Sequence, residues 1–441
     1  MRFFGRTKEI GILRDIRARA DKTAQFTVVT GRRRVGKTEL IRKALEGETP
    51  YLYFFVARRS EKELCASFRE ELENKLNVFL PGEQNRFHDI FKWILDYSCK
   101  HPLTLVIDEF QDFKRCDPAI FSEMQRDWDE FHRRAKINLL VCGSANTLMN
   151  RIFRDDKEPL FGRPSAFLKV RPLPVSDLKK ILKASNPKFT ASDLLALYAV
   201  TGGVAKYVAV LMDRGAVTAD KMINAAVDDG SIFVDEGKNS LVEEFGKDYG
   251  IYFSILSAIA RGQTERGQIE NAVGAGPLGG YLQRLEKDYE IIVRRQPLFS
   301  KALAKNLRYA IGDNFYNFWF RFIAGHSAAV ELGAFDQLRM LIRRDWSVFC
   351  GFALERYFSA KLGETGRYTR LGGWWDRKGE NEIDLIAENE LDRTATFFEI
   401  KLDASRFSRS ELERKRDSFL RATGEYSDWK CACRVLSISD M

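Results

Sequence analysis

Five short apolar runs punctuate the first 170 or so residues: Phe26 to Thr30, Tyr51 to Val56, Leu103 to Ile107, Ile137 to Cys142 and Ala166 to Val170. Longer amphipathic stretches separate them. Strand-length runs alternating with helix-length segments predict a mainly parallel sheet covered by helices, an α/β fold. The alternation stops at Arg171 to Pro174, where each proline fixes φ and biases its predecessor away from helix. From 175 to about 240 the pattern reads as helices only, as in Ser176 to Leu182 and Ala191 to Val200, and suggests a small helical lid.

Between about 250 and 312 the rhythm changes to three short helices and a strand pair. In the third helix Leu278, Tyr281, Leu282 and Leu285 recur at helical spacing, so one face is buried. Ile291 to Arg295 and Arg308 to Ile311 then pair around a lysine-bearing loop, which makes a winged helix-turn-helix. Further on, Trp346 to Leu362 reads as a helix with Phe349, Phe352, Ala353 and Tyr357 on or near one face. The last hundred residues return to mixed helix and strand. The expected division is 1–174, 175–245, 246–330 and 331–441.

Composition narrows the class. Hydrophobic residues make up 45% and aromatic residues 12% of the 441, enough for real cores and too much for a disordered chain. No run approaches the 18 or so apolar residues of a membrane span, and the charged start MRFFGRTKEI is unlike a secretory signal, so a cytoplasmic protein is expected. Seven cysteines with no CxxC, beside four histidines, fit reduced thiols and argue against a structural zinc site. The net charge of +9 permits a nucleic-acid partner without demanding one. Residues 292 to 345 hold nine Lys/Arg against four Asp/Glu, the local excess that phosphate contact needs.

The first chemical motif is Gly31-Arg32-Arg33-Arg34-Val35-Gly36-Lys37-Thr38, a GxxxxGK[ST] phosphate loop. It follows the FTVVT strand, with Glu39 to Leu45 ready to continue as a helix. Glycines let backbone N–H groups curl round phosphate, Lys37 neutralises β/γ oxygens, and the Thr38 hydroxyl can ligate Mg²⁺. ATP and Mg²⁺ are therefore the expected cofactors. The strand Leu103 to Ile107 ends in Asp108-Glu109 at the same sheet edge. Asp108 can hold Mg²⁺ through water, and Glu109 can orient or deprotonate the attacking water. At the end of the next strand Ser144, or failing that Asn146, can sense the γ-phosphate. Arg163, just before the last strand, is a candidate arginine finger reaching a neighbouring subunit's nucleotide in a homo-oligomer.

FFGRTKEI, GRRRVGKT, LTLVIDEFQDF, LLVCGSANTLM, PLFGRPS and TGGVAKY, spread over residues 1 to 210, together resemble the archaeal-type AAA ATPases of the AAA+/STAND assemblage. The resemblance implies an extra strand between the phosphate-loop strand and the acidic strand. It also implies that Phe4, Gly5 and Arg6 lie near the adenine and that Thr201, Gly202, Gly203 and Lys206 face the nucleotide from the lid. Ala205 stands where that family often has proline.

A second candidate site lies near the C-terminus. In Phe397-Phe398-Glu399-Ile400-Lys401, Glu399 and Lys401 share one face of a strand at i and i+2. A hairpin with Ile383 to Ala387 would bring Asp384 beside Glu399, and Glu355 on the upstream helix supplies a third acid. Carboxylates so placed can bind Mg²⁺ while the lysine acts on water or phosphate. Other ExK triplets, such as Glu413-Arg414-Lys415, lack this setting. The order helix Glu, strand Asp, ExK resembles the PD-(D/E)xK nucleases, and with Trp374-Trp375 and GENEIDLIA looks like the nuclease-like domain commonly fused to these ATPases. The resulting expectation is an ATPase coupled to a DNA-binding winged helix and a Mg²⁺-dependent nuclease domain, with DNA as partner. The alternative is a STAND-like signalling ATPase whose winged helix and inactive nuclease-like domain bind proteins.

Overall fold

The computed structural model describes residues 3–47, 51–144, 146–300 and 307–441. Two compact units emerge, one of residues 5–171, the other of residues 172–441 together with the N-terminal residues as far as Phe4.

In the 5–171 unit, β1 (Gln25–Thr30), β2 (Tyr51–Phe55), β3 (Leu103–Asp108), β4 (Ile137–Cys142) and β5 (Ala166–Lys169) form one parallel sheet in the order β2-β3-β4-β1-β5. β4 thus lies between β1 and β3, as the resemblance implied. All six positions of β3 and of β4 are buried, because central parallel strands carry helices on both faces. β5, at an edge, has no buried position. Phe26, Leu105, Ile107 and Leu139 pack on one side of the sheet, and Val29, Leu40, Ile41, Val106 and Leu140 on the other. Each such side chain contributes about 1.5–3 kcal/mol of burial. A parallel sheet brings all strand C-termini to one edge, so the loops after β1, β3 and β4 meet there.

The 172–441 unit begins with five helices, from Val175–Ser185 to Ile232–Phe245. Helices Tyr249–Ala260, Arg266–Val273 and Gly279–Lys287 follow, and then the antiparallel pair β6 (Ile292–Arg295) and β7 (Arg308–Ile311). Leu278, Leu282 and Leu285 are buried and Tyr281 is half-buried, as their period requires. A 30-residue helix, Phe335–Glu364, starts well before the expected Trp346. It buries Phe349, Ala353 and Tyr357 but leaves Phe352 exposed on another face. That corrects the expected grouping: at about 100° per residue the buried arc runs from Phe349 through Ala353, Tyr357 and Cys350 to Leu354 and Phe358, and Phe352 falls outside it, beyond Phe349.

The C-terminal sheet runs β11-β10-β9-β8, from β8 (Arg370–Trp375), β9 (Glu382–Asn389), β10 (Thr394–Lys401) and β11 (Lys430–Ser437). β8, β9 and β10 are antiparallel, whereas β10 and β11 are parallel. The long helix covers one face through Leu385, Ala387, Phe398 and Ile400. Helix Arg409–Thr423 covers the other through Phe397, Leu412 and Phe419. The β6–β7 hairpin leans on this sheet: Leu298 donates its N–H to Gly373 O at 3.0 Å, and Arg308 pairs with Glu382 at 3.0 Å while lying over the Trp375 ring. All seven cysteines are free, and no helix among the described residues is long and apolar enough to cross a membrane.

Candidate functional site

The loop after β1 folds as its glycines dictate. Gly31 has φ +151°, and a Cβ there would stand 2.4 Å from Val170 O; Gly36 has φ +95°. Both conformations are open to glycine and strained for other residues. Helix Lys37–Ala44 starts directly behind, so its free N–H groups face the loop. Lys37 is buried, with Nζ donating to Gly31 O at 2.8 Å and Arg32 O at 3.2 Å. Burial lowers its pKa, and the nearby Glu109 and Asp108 carboxylates oppose that fall. Arg6 donates to Val35 O at 3.1 Å and pairs with Glu9 at 3.0 Å, so it braces the loop from behind.

At the end of β3, Asp108 accepts from Thr38 Oγ1 at 2.9 Å, from the Tyr53 hydroxyl, and from Cys142 Sγ at 2.9 Å. Burial, with the Asp108 carboxylate beside them, pushes the Tyr53 phenol and the Cys142 thiol well above their ordinary pKa values. Glu109 sits in the left-handed region at φ 53° and donates its N–H to Asp108 Oδ1 at 2.9 Å. Its carboxylate accepts from Ser144 Oγ at 2.8 Å and from Gln111 Nε2 at 2.6 Å. Gln111 is buried, and its Oε1 has no hydrogen-bond partner among the described residues.

The structure thus brings Lys37, Thr38, Asp108, Glu109 and Ser144 to one sheet edge. Glu39 is not turned to that cluster: its exposed carboxylate pairs with Arg42 one turn on. Arg163 is engaged by Asp129 at 2.9 Å and by Phe161 O at 2.9 Å. The Asn146 side chain lies outside the described residues. Phe4 packs against the core of the 172–441 unit, where Thr201 receives the Gly203 N–H at 3.2 Å. Sequence reasoning missed Tyr53, Cys142 and Gln111. Gln111 alone left a signal, a polar residue two places after Glu109.

The C-terminal candidates meet only in part. The β9–β10 ladder pairs Phe398 with Leu385, and just beyond it Asp384 Oδ2 accepts from Ile400 N at 2.7 Å. Burial first, then the Glu399 charge, lifts Asp384 to about 6. Burial and Asp384 likewise lift Glu355 to about 7. Glu399 is held by two lysines, Lys401 at 2.9 Å and Lys415 at 3.3 Å. Burial opposes the charge on Lys401, but its bond to Glu399 and the fields of Asp384 and Glu355 outweigh it, and its pKa is raised. Among the described residues no three His, Cys, Asp or Glu side chains are placed to hold a metal, so the expected Glu355–Asp384–Glu399 ligand set is not assembled. Strand alternation explains this. Glu399 points with Phe397 toward helix Arg409–Thr423, whereas Glu355 arrives from the helix on the opposite face. Lys415, in a triplet set aside as a chance match, is the unforeseen partner.

The basic excess of 292–345 is also largely paired. Arg294 meets Glu286 at 3.4 Å, Arg308 meets Glu382, Arg339 meets Asp228 at 2.7 Å, Arg343 meets Asp220 at 3.3 Å and Arg344 meets Asp345 at 2.8 Å. Lys301 and Lys305 lie outside the described residues.

Residues 3–211 match the model of an ATPase domain found predominantly in Archaea. The match and the phosphate loop support an ATPase. Residues 319–414 of this ATPase match a family of archaeal and bacterial proteins of unknown function, which assigns no activity to the C-terminal sheet. A Methanocaldococcus jannaschii protein, the uncharacterized MJECL04, is 29% identical over 393 residues, covering 86% of this chain and 82% of its own. Among solved structures the Walker-type ATPase PABY2304 of Pyrococcus abyssi superposes with a TM-score of 0.53 at 18% identity, over 72% of this chain and 96% of that one. At that identity the likeness shows the fold alone.

Proposed function

We propose that the ATPase binds ATP with Mg²⁺ at the β1–β3–β4 edge and uses the hydrolysis cycle to direct a DNA-contacting, nuclease-like C-terminal region. The observation that carries the ATP half is the pair of contacts Thr38–Asp108 and Ser144–Glu109 beside the buried Lys37. The residues fit the cofactors. The Gly31 cradle admits no Cβ, the Lys37 ammonium is satisfied by loop carbonyls that phosphate oxygens can replace, and a hydroxyl beside a carboxylate is a hard-oxygen set suited to Mg²⁺. When bound, Mg²⁺ supplies charge neutralisation of the β/γ-phosphates. Lys37 and the loop N–H groups would hold the triphosphate, and Thr38 and Asp108 would hold the cation. Glu109 aligns and deprotonates the attacking water, and Ser144 with Gln111 fixes its carboxylate. Comparing Glu109→Gln with wild type for ATP binding and turnover tests this. Normal turnover in the variant would remove Glu109 from the mechanism.

The DNA half is supported by the three helices and hairpin read as a winged helix, and by Asp384, Glu399 and Lys401 converging at the end of β9–β10. Plasmid nicking with Mg²⁺ or Mn²⁺, lost in Asp384→Ala, is its test. One observation favours the second reading, a signalling ATPase with an inactive nuclease-like domain: Glu399 is neutralised by two lysines rather than left open to metal. Clean preparations that neither nick nor bind DNA would select it.

A further inference from the structure

A cavity of about 700 Å³ opens within the 172–441 unit between the β6–β7 hairpin, the long helix and β8–β9. That volume lies in the range of small-molecule and cofactor sites. Four guanidinium groups line it, those of Arg261, Arg295, Arg321 and Arg356, against two carboxyl groups, Glu355 and Asp384. Arg356 is committed to the fold, since it donates to Asn314 Oδ1 at 2.9 Å and to Ile311 O. Arg261 and Arg295 are exposed, and Arg295 meets Glu355 at 3.9 Å, near the limit of an ion pair. The same wall carries apolar groups turned outward: Val348 and Phe352, one helical turn apart on the long helix, are 64% and 57% exposed. Packing does not explain Phe352, since the helix buries Phe349, Tyr357 and Phe358 on a different arc.

We infer that this cavity binds single-stranded DNA, with Arg261, Arg295 and Arg321 on backbone phosphates and an unpaired base stacked on Phe352. The inference rests on the DNA reading above and adds its substrate class. A basic groove with an aromatic platform is the arrangement that takes single strands, because every base offers a π-face once it is unstacked from its neighbours. Bases in a duplex are already stacked on each other and cannot reach Phe352 without being flipped out. Asp384 and Glu355 border the same space, so a strand held there lies against the acids of the C-terminal site.

The experiment is fluorescence anisotropy on the full chain in EDTA, with a labelled oligothymidylate of about 12 nucleotides and with a blunt duplex of matched length. The single strand should bind at least about tenfold more tightly than the duplex. Phe352→Ala should weaken it about tenfold, and Phe352→Trp should retain it. Arg261→Ala with Arg321→Ala should make log affinity less salt-dependent by about 1.4 in slope, since each phosphate contact on a single strand contributes about 0.7. This slope is an independent readout should either Phe352 variant unfold. Equal binding of duplex and single strand, or full binding by Phe352→Ala with an unchanged slope in the arginine variant, overturns the cavity assignment while DNA binding stands. Absence of binding to either probe overturns both.

Discussion

At the phosphate-loop edge the polar side chains meet complementary groups of the same cluster: Thr38 on Asp108, Ser144 and Gln111 on Glu109, Lys37 on loop carbonyls. At the C-terminal sheet the acids are taken up by their own chain, Asp384 by the Ile400 N–H and Glu399 by two lysines. Topology accounts for the contrast. A parallel sheet delivers several strand ends to one edge, whereas an antiparallel hairpin delivers neighbours whose side chains alternate between faces covered by different helices. The first site is organised by its backbone before any ligand arrives. In the second a cation must displace Lys401 and Lys415 from Glu399 before it can be bound.

The sharpest way to break the comparison is at the ATP site. Lys37→Ala should abolish tight ATP binding in calorimetry, and Glu109→Gln should bind ATP while hydrolysis falls by about 10² or more, the size of a lost general base. A Lys37→Ala protein that binds ATP like wild type would mean the loop is not organised around that ammonium. The C-terminal site then tests the other half. Asp384→Ala and Glu399→Ala should each weaken Mn²⁺ binding and remove nicking, Lys401→Ala should remove nicking with metal retained, and none should change the ATPase rate. Glu413→Ala, whose carboxylate pairs with Arg409 at 3.0 Å on the surface, should change neither. Nicking that survives Asp384→Ala would leave the hairpin as structure alone.

A smaller effect sharpens the idea of preorganisation. Gln111→Ala should lower the ATPase kcat by about tenfold with KM unchanged, because Gln111 acts on the substrate only through Glu109. A change confined to KM would make it a binding residue instead.

The smallest effect is on stability. Glu355 has a folded pKa of about 7, above its ordinary 4.5, so the native state holds that proton more tightly than the unfolded chain. The stability that Glu355 contributes is therefore fullest below about pH 4.5 and is lost as pH rises through 7. Glu355→Gln should be stabilising at pH 8, by on the order of 2 kcal/mol after discounting for coupling to Asp384, and near neutral at pH 4.5. Thermal unfolding in EDTA at the two pH values measures it, and equal shifts at both would refute the assignment.

Much of the proposed ATP site was legible in the sequence because its chemistry is local. A glycine-rich octapeptide, a strand ending in Asp108-Glu109 and a strand ending before Ser144 each state their role within a few residues, and a parallel sheet then has only one edge at which to gather them. Tyr53 and Cys142 were not legible, since a phenol or thiol on a neighbouring strand reaches Asp108 only once the strand order is fixed. The C-terminal region was read less completely. Period-2 and period-3.6 patterns gave the β9–β10 hairpin and the long helix, but hydrophobic periodicity does not say which helix covers which face. That left Glu399 grouped with Glu355, when the fold turns it toward Lys415. It also left Phe352 assigned to a core that the helix builds from other residues.

By itself the sequence determined the α/β class, the phosphate loop and the order of the elements, because these follow from side-chain period and backbone freedom along the chain. Only the tertiary structure decided which acids share a face, which arginines are already paired and where a cavity opens. Those depend on contacts between residues far apart in sequence, and burial and charge pairing are set by what the fold brings together.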